Sequence, residues 1–310
     1  MSNPHGNMEY RGPELQVPVP EDFNFAETVG YMSRSGNECM HYIDDGTIYK
    51  RIPVGPEYPI VKISGGGEEA LHVRFQGTAD PPSASTHSAA VQYIREWFDL
   101  DTDLTPFYAM AHADELLRPT VDRFRGLRIV GIPDLFEALC WAIIGQQINL
   151  AFAYTLKRRF VERYGRCAEW KGRSYWLFPT PERIAGLAAD DLIDLQMTAK
   201  KSEYLIGAAK LIAEGKLSKE LLLNEEHGGG SAEQRLVAIR GIGPWTANYV
   251  MMRCLRIPSA FPVQDVGLHN AIKHLTGTER KPTVEEIKQM SASWTGWEAY
   301  ATFYLWRVLY

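Results

Sequence analysis

The stretch from Leu236 to Tyr249 limits most sharply what this chain can fold into. Leu236 and Ile239, three apart, suit the last turn of a helix. Gly241 and Gly243 then allow a reversal too tight for a Cβ at every position. Pro244 fits the first position of the helix that follows. A Gly-Ile-Gly turn between two helices directs unpaired backbone N–H groups outward at a positive helix end, which suits a phosphate gripped without regard to base sequence. For Gly-x-Gly alone, a plain turn between packed helices is the simpler reading. Further on, Phe261-Pro262-Val263-Gln264-Asp265 leads into an apolar-patterned helix over 266–275, with Asp265 at the place of an N-cap.

The rest of the chain divides at Pro81-Pro82-Ser83. Before it, a short helix is expected at 24–32 and strands at 39–43, 47–54, 59–64 and 70–76, with Asp44-Asp45-Gly46 as a hairpin turn and 65–67 as another. Leu71, Val73 and Phe75 alternate with His72, Arg74 and Gln76, the period of a half-buried strand. The approach through Pro13, Pro18 and Pro20 reads as irregular. After the break the pattern is helical almost throughout, beginning with Val91, Ile94, Trp97 and Phe98 on one face. Asp134 and Glu137 form a capping-box pattern before the apolar helix ending at Gly145. The loop Gln146-Gln147-Ile148-Asn149 leads into a helix whose Lys157, Arg158, Arg159 and Arg163 read as a solvated face. His227 to Gly230 reads as a connector. The expected class is α+β: a small antiparallel sheet domain (1–80), a linker (81–88) and an all-helical part (89–310) in two lobes, 132–255 and 89–131 plus 256–310.

With 310 residues and 45% hydrophobic content, the chain can bury a sizeable core. No apolar run is long enough to span a membrane and no secretory h-region opens the chain, so a soluble, cytoplasmic protein is expected. The formal net charge of −5 argues against a nucleic-acid partner, but its distribution matters more. Residues 1–149 hold 11 basic against 21 acidic side chains, whereas 150–260 hold 17 against 12. The positive part surrounds the glycine turn. The cysteines, Cys39, Cys140, Cys167 and Cys254, are scattered and read as free thiols.

Leu-x-x-Ile-x-Gly-Ile-Gly-x-Trp-Thr-Ala followed by Phe-Pro-x-x-Asp resembles the helix-hairpin-helix DNA glycosylases, and the Trp-Thr-Ala-Asn-Tyr run most resembles their 3-methyladenine glycosylase II branch. The resemblance implies that the helical part is a glycosylase core with its hairpin at 236–249. It implies a monofunctional enzyme that flips alkylated purines out of double-stranded DNA and hydrolyses the N-glycosidic bond in base excision repair, acting as a monomer. Asp265 takes the family's catalytic place, where a carboxylate stabilises positive charge on the sugar and orients water. Trp245, Tyr249 and Trp306 take pocket places, stacking electron-rich rings on an electron-poor base, while Trp294, Trp297 and Tyr300 read as packing. Gln146, Gln147, Ile148, Gly241, Ile242, Gly243 and Thr246 take DNA-facing places, with Gln147 as the wedge that enters the gap left by the flipped base. Relatives that excise oxidised guanine carry a lysine where this chain has Trp245, so no lyase step is expected. The resemblance also implies a structural K+ or Na+ at the hairpin carbonyls, with no catalytic metal. No cysteine follows Cys254, so no iron–sulfur cluster is expected. The alternatives are an oxidised-guanine glycosylase and a non-catalytic helix-hairpin-helix DNA binder.

Overall fold

The computed structural model describes residues 13–56, 58–65, 67, 69–77, 82–224 and 231–310. It opens with β1 (Glu14–Pro18), α1 (Phe25–Met32), β2 (Tyr42–Asp44), β3 (Thr47–Arg51), β4 (Ile60–Gly65) and β5 (Ala70–Gln76). Helices α2 (Ala84–Phe98), α3 (Thr105–His112), α4 (Arg118–Arg123), α5 (Leu135–Gly145) and α6 (Leu150–Tyr164) follow, then a hairpin of β6 (Arg166–Trp170) and β7 (Arg173–Leu177). The remainder is helical: α7 (Pro181–Ala185), α8 (Ala189–Ile193), α9 (Ala199–Ala213), α10 (Lys219–Leu223), α11 (Ala232–Val237), α12 (Pro244–Val250), α13 (Val266–Thr276), α14 (Val284–Met290) and α15 (Glu298–Arg307). The class is α+β, as expected.

The first five strands form one antiparallel sheet in the order β1-β5-β4-β3-β2. Leu15, Val17, Ile48, Val61, Ile63, Leu71, Val73 and Phe75 are buried, and the register sets Val17 opposite Leu71 and Ile63 opposite both Val73 and Ile48. β1 was missed in the sequence because prolines bracket it. As an edge strand it tolerates Pro18, whose absent N–H costs little there.

Two boundaries differ from expectation. Ser83 caps α2 by accepting from the Thr86 N–H (3.2 Å), so most of the expected linker 81–88 is helix; residues 78–81 lie outside the described residues, as do Gly66 and His227 to Gly230. The second part is not all helical, because β6 and β7 pair around Lys171 and Gly172, whose φ angles of +48° and +71° make the tight reversal. Trp170 then lies 6.2 Å from the Tyr49 ring, and Arg173 sits 3.7 Å over Tyr42, so this hairpin extends the surface of the N-terminal sheet.

Asp134 caps α5 through the Glu137 N–H (2.6 Å), but the expected reciprocal bond is not made. Glu137 turns instead to Lys157 (3.3 Å), which also meets Glu38 (3.4 Å) and lies 5.4 Å from the Trp141 ring centroid. Lys157 is therefore buried between α5, α6 and the N-terminal domain and does not belong to a solvated face. Against desolvation, Lys157 and His41 hold the Glu38 carboxyl well below the usual carboxylate range.

Candidate active site

The hairpin between α11 and α12 is built as its glycines require. Gly241 has φ +91°, and a Cβ there would stand 2.2 Å from the Tyr204 ring. Asn248 on α12 ties the hairpin to the aspartate loop: its Oδ1 accepts from the Phe261 N–H (2.8 Å), and its Nδ2 donates to Pro244 O and Glu233. The loop closes on itself through Asp265 N–H to Pro262 O (2.8 Å). His269 braces it between Val263 O and Pro282 O, both 2.9 Å away.

Asp265 caps α13, its Oδ1 accepting from the Leu268 N–H at 2.8 Å. Two indoles hold the same carboxylate: Trp306 Nε1 donates to Oδ1 (2.8 Å) and Trp245 Nε1 to Oδ2 (2.9 Å). The three donors fix the orientation of the group. Asp265 is partly exposed at a cleft of about 1290 Å³, whose wall includes Trp245, Tyr249 and Trp306. The rings run in series, with centroids 5.6 Å apart from Trp245 to Tyr249 and 6.0 Å from Tyr249 to Trp306, each pair tilted by 33°. Such a wall offers π faces to a flat ligand beside a fixed carboxylate.

The remaining residues singled out in the sequence line the same cleft, but not all are free to reach out of it. Gln146 Nε2 donates to Gly241 O and to Thr246 Oγ1, both at 3.0 Å, so Gln146 clips its loop to the hairpin. Thr246 is buried. The Ile242 N–H donates to Ile239 O (3.0 Å), so the expectation that this amide faces a phosphate is corrected. Gly243 opens onto empty space. Gln147 is exposed, with φ +57°, a left-handed backbone unusual outside glycine, and Ile148 beside it is half-buried. Trp294 and Tyr300 lie in the core, as expected, and Trp297 packs against Phe107.

Sequence reasoning missed the second layer of the cleft. Tyr249 Oη accepts from Trp141 Nε1 (2.7 Å) and from Arg253 Nη1 (2.9 Å), which also reaches Tyr31 Oη (3.2 Å). Arg253 sits in a π-helical turn, Met251–Leu255, that continues α12, and its placement depends on that irregularity. Tyr31 and Arg34 come from the N-terminal domain. Gly267 was also missed: a Cβ there would stand 2.8 Å from Asp265 Oδ1 and 3.2 Å from Trp306 Nε1.

Residues 140–296 match the model of the HhH-GPD superfamily base excision DNA repair proteins, and residues 31–139 match that of the 8-oxoguanine DNA glycosylase N-terminal domain. The chain is 53% identical over 296 residues to a DNA-3-methyladenine glycosylase of Bacillus subtilis, covering 96% of this chain and 97% of the relative. It is 30% identical over 288 residues to DNA-3-methyladenine glycosylase 2 of Escherichia coli, covering 92% and 93%. Among solved structures, a 3-methyladenine DNA-glycosylase from Archaeoglobus fulgidus matches with TM-score 0.77 at 22% identity, covering 94% and 97%. The 8-oxoguanine glycosylase/lyase of Clostridium acetobutylicum matches with TM-score 0.72 at 22% identity, covering 96% of each chain. Both likenesses concern the fold.

Proposed function

Since the chain belongs to the HhH-GPD superfamily of base excision DNA repair proteins, we propose that it is a monofunctional DNA glycosylase that hydrolyses alkylated purines, of the 3-methyladenine and 7-methylguanine type, out of double-stranded DNA. The observation that carries this reading is Asp265, held by Trp245 and Trp306 in a cleft floored by Tyr249. The duplex lies across the hairpin and the 146–149 loop, and Gln147 enters the space left by the extruded base, whose unstacking costs about a few kcal/mol, least for a damaged base. The base stacks against the aromatic wall. As it leaves, positive charge grows on the sugar; Asp265 stabilises it and orients the attacking water.

A chain that cleaves the strand through a Schiff base needs an amine at the place of Trp245, and an indole cannot form that adduct. A monovalent cation at the hairpin has carbonyls to hold it: Ile239 O and Gly241 O each accept one hydrogen bond within the protein and keep a second lone pair. The match to the 8-oxoguanine DNA glycosylase N-terminal domain favours a second reading, an oxidised-guanine glycosylase. Duplexes containing 3-methyladenine, 7-methylguanine or 8-oxoguanine separate the two when free-base release and strand nicking are scored apart. Release of alkylpurine without nicking is expected; borohydride trapping of a covalent adduct would refute the monofunctional assignment.

A further inference from the structure

Arg34 brings a cation into the cleft from the N-terminal domain, just beyond α1. Its guanidinium lies 4.0 Å over the Tyr31 ring centroid and 5.8 Å from that of Tyr154, and Nη1 donates to Tyr31 O (3.0 Å). The two other arginines of the cleft are committed: Arg253 donates to Val130 O, Tyr31 Oη and Tyr249 Oη, and Arg240 to Glu203. Among the described residues no carboxylate pairs with Arg34; the groups around it are the phenols of Tyr31, Tyr154, Tyr249 and Tyr310. The guanidinium thus lies in the cleft wall without an anionic partner, and Nη1 is its one donor with a protein acceptor among the described residues.

A permanent positive charge there works against a cationic base, so stacking alone does not describe what this pocket selects. An arginine fork does match the O6 and N7 acceptors on one edge of a 6-oxopurine. The leaving step makes the same distinction. When C1′–N9 breaks, the electron pair stays on the base. A 3-alkylated purine cation thereby becomes neutral, whereas a neutral 6-oxopurine becomes an anion, with charge spread over its ring nitrogens and O6. Water adds to C1′ and releases its proton to solvent, and the departing anion takes a proton from solvent.

We propose that Arg34 is a specificity-determining residue, whose free guanidinium donors bind the oxygen-bearing edge of an uncharged 6-oxopurine and stabilise it as it departs. This rests on the reading of the cleft as a base pocket. The test is single-turnover base release by wild type, Arg34→Gln and Arg34→Lys from duplexes containing hypoxanthine or 3-methyladenine, with binding to a duplex bearing an abasic-site analogue. In Arg34→Gln the ratio of hypoxanthine to 3-methyladenine release is expected to fall by about tenfold or more, and Arg34→Lys, lacking the fork, is expected to restore only part of it. An unchanged ratio overturns the proposal. So does weakened abasic-duplex binding with a shallower salt dependence at constant ratio, which marks a phosphate anchor. Wild type that releases 3-methyladenine but no hypoxanthine overturns it too, whereas wild type that releases neither sinks the base-pocket reading itself.

Discussion

Trp306 Nε1 and Asp265 Oδ1 meet at 2.8 Å only because residue 267 has no side chain. Gly267 is the second residue of α13, where a Cβ would enter the space between the indole and the carboxylate. The pair is thus a packing problem as well as a hydrogen bond, solved by a single missing methyl group.

Gly267→Ala is therefore expected to push the Trp306 indole off the carboxylate while leaving the hairpin in place. A displacement of this order at a reacting centre costs up to about a hundredfold in rate, and overpacking costs about 1–3 kcal/mol in stability. Single-turnover base release beside a thermal melt measures both. A rate equal to wild type would show that the indole has no part in aiming the carboxylate.

Asp265→Asn tests the group itself. The amide keeps its oxygen for the two donors that meet Oδ1 now, Trp306 Nε1 and the Leu268 N–H, but it sets an N–H₂ against Trp245 Nε1, where a carboxylate oxygen accepts now. Base release is expected to fall by about a hundredfold or more, the scale seen when charge stabilisation is removed from a reacting centre, with abasic-duplex binding retained. Equal release by variant and wild type removes Asp265 from the chemistry.

The hairpin, Asp265 and its capping role were legible in the sequence because each is carried by neighbours in the chain: Gly241, Gly243 and Pro244 set a turn, and Asp265 precedes an apolar helix. Trp306 was legible only through family resemblance, since nothing local distinguishes it from Trp294, which is core. Arg34, Trp141 and Arg253 were not legible. Their positions depend on contacts such as Trp141 to Tyr249, 108 residues apart, and Arg253 to Tyr31, 222 apart. Lys157 was misread for a related reason: α6 carries a basic run, and only the fold shows that one member turns inward to Glu38 and Glu137. β6 and β7 escaped because a short strand pair without a long apolar run resembles the loops around it.

Gly241→Ala separates turn geometry from crowding. The φ of +91° is strained for any residue with a Cβ, and that Cβ would also strike the Tyr204 ring. The left-handed backbone alone costs about 1–2 kcal/mol, and the clash adds to it. Tyr204→Ala introduced into Gly241→Ala should recover the steric share and no more. A double-mutant cycle by denaturant unfolding measures the coupling, and additive effects would mean that ring and turn do not meet.

His41 makes acid stability the last test. Desolvation, with Lys50 and Lys157 behind it, brings its pKa down to about 4 against the pull of Glu38. The unfolded chain binds a proton near the ordinary histidine value of about 6.5, so the folded state is the poorer proton acceptor. The stability this confers is fully present above the unfolded value and is lost as pH falls through about 6.5 to 4, an upper limit of about 3 kcal/mol for such a shift. Asp134 acts in the opposite sense: desolvation raises it to about 6, so it favours folding as pH falls through that range. Glu38, held low, adds its loss only below its ordinary range. The wild-type profile mixes the three, so the informative quantity is the difference from His41→Gln. As pH falls from about 6.5 to 4, the melting temperature of wild type should drop relative to that of His41→Gln. A constant offset across that range would mean that His41 exchanges no proton on unfolding.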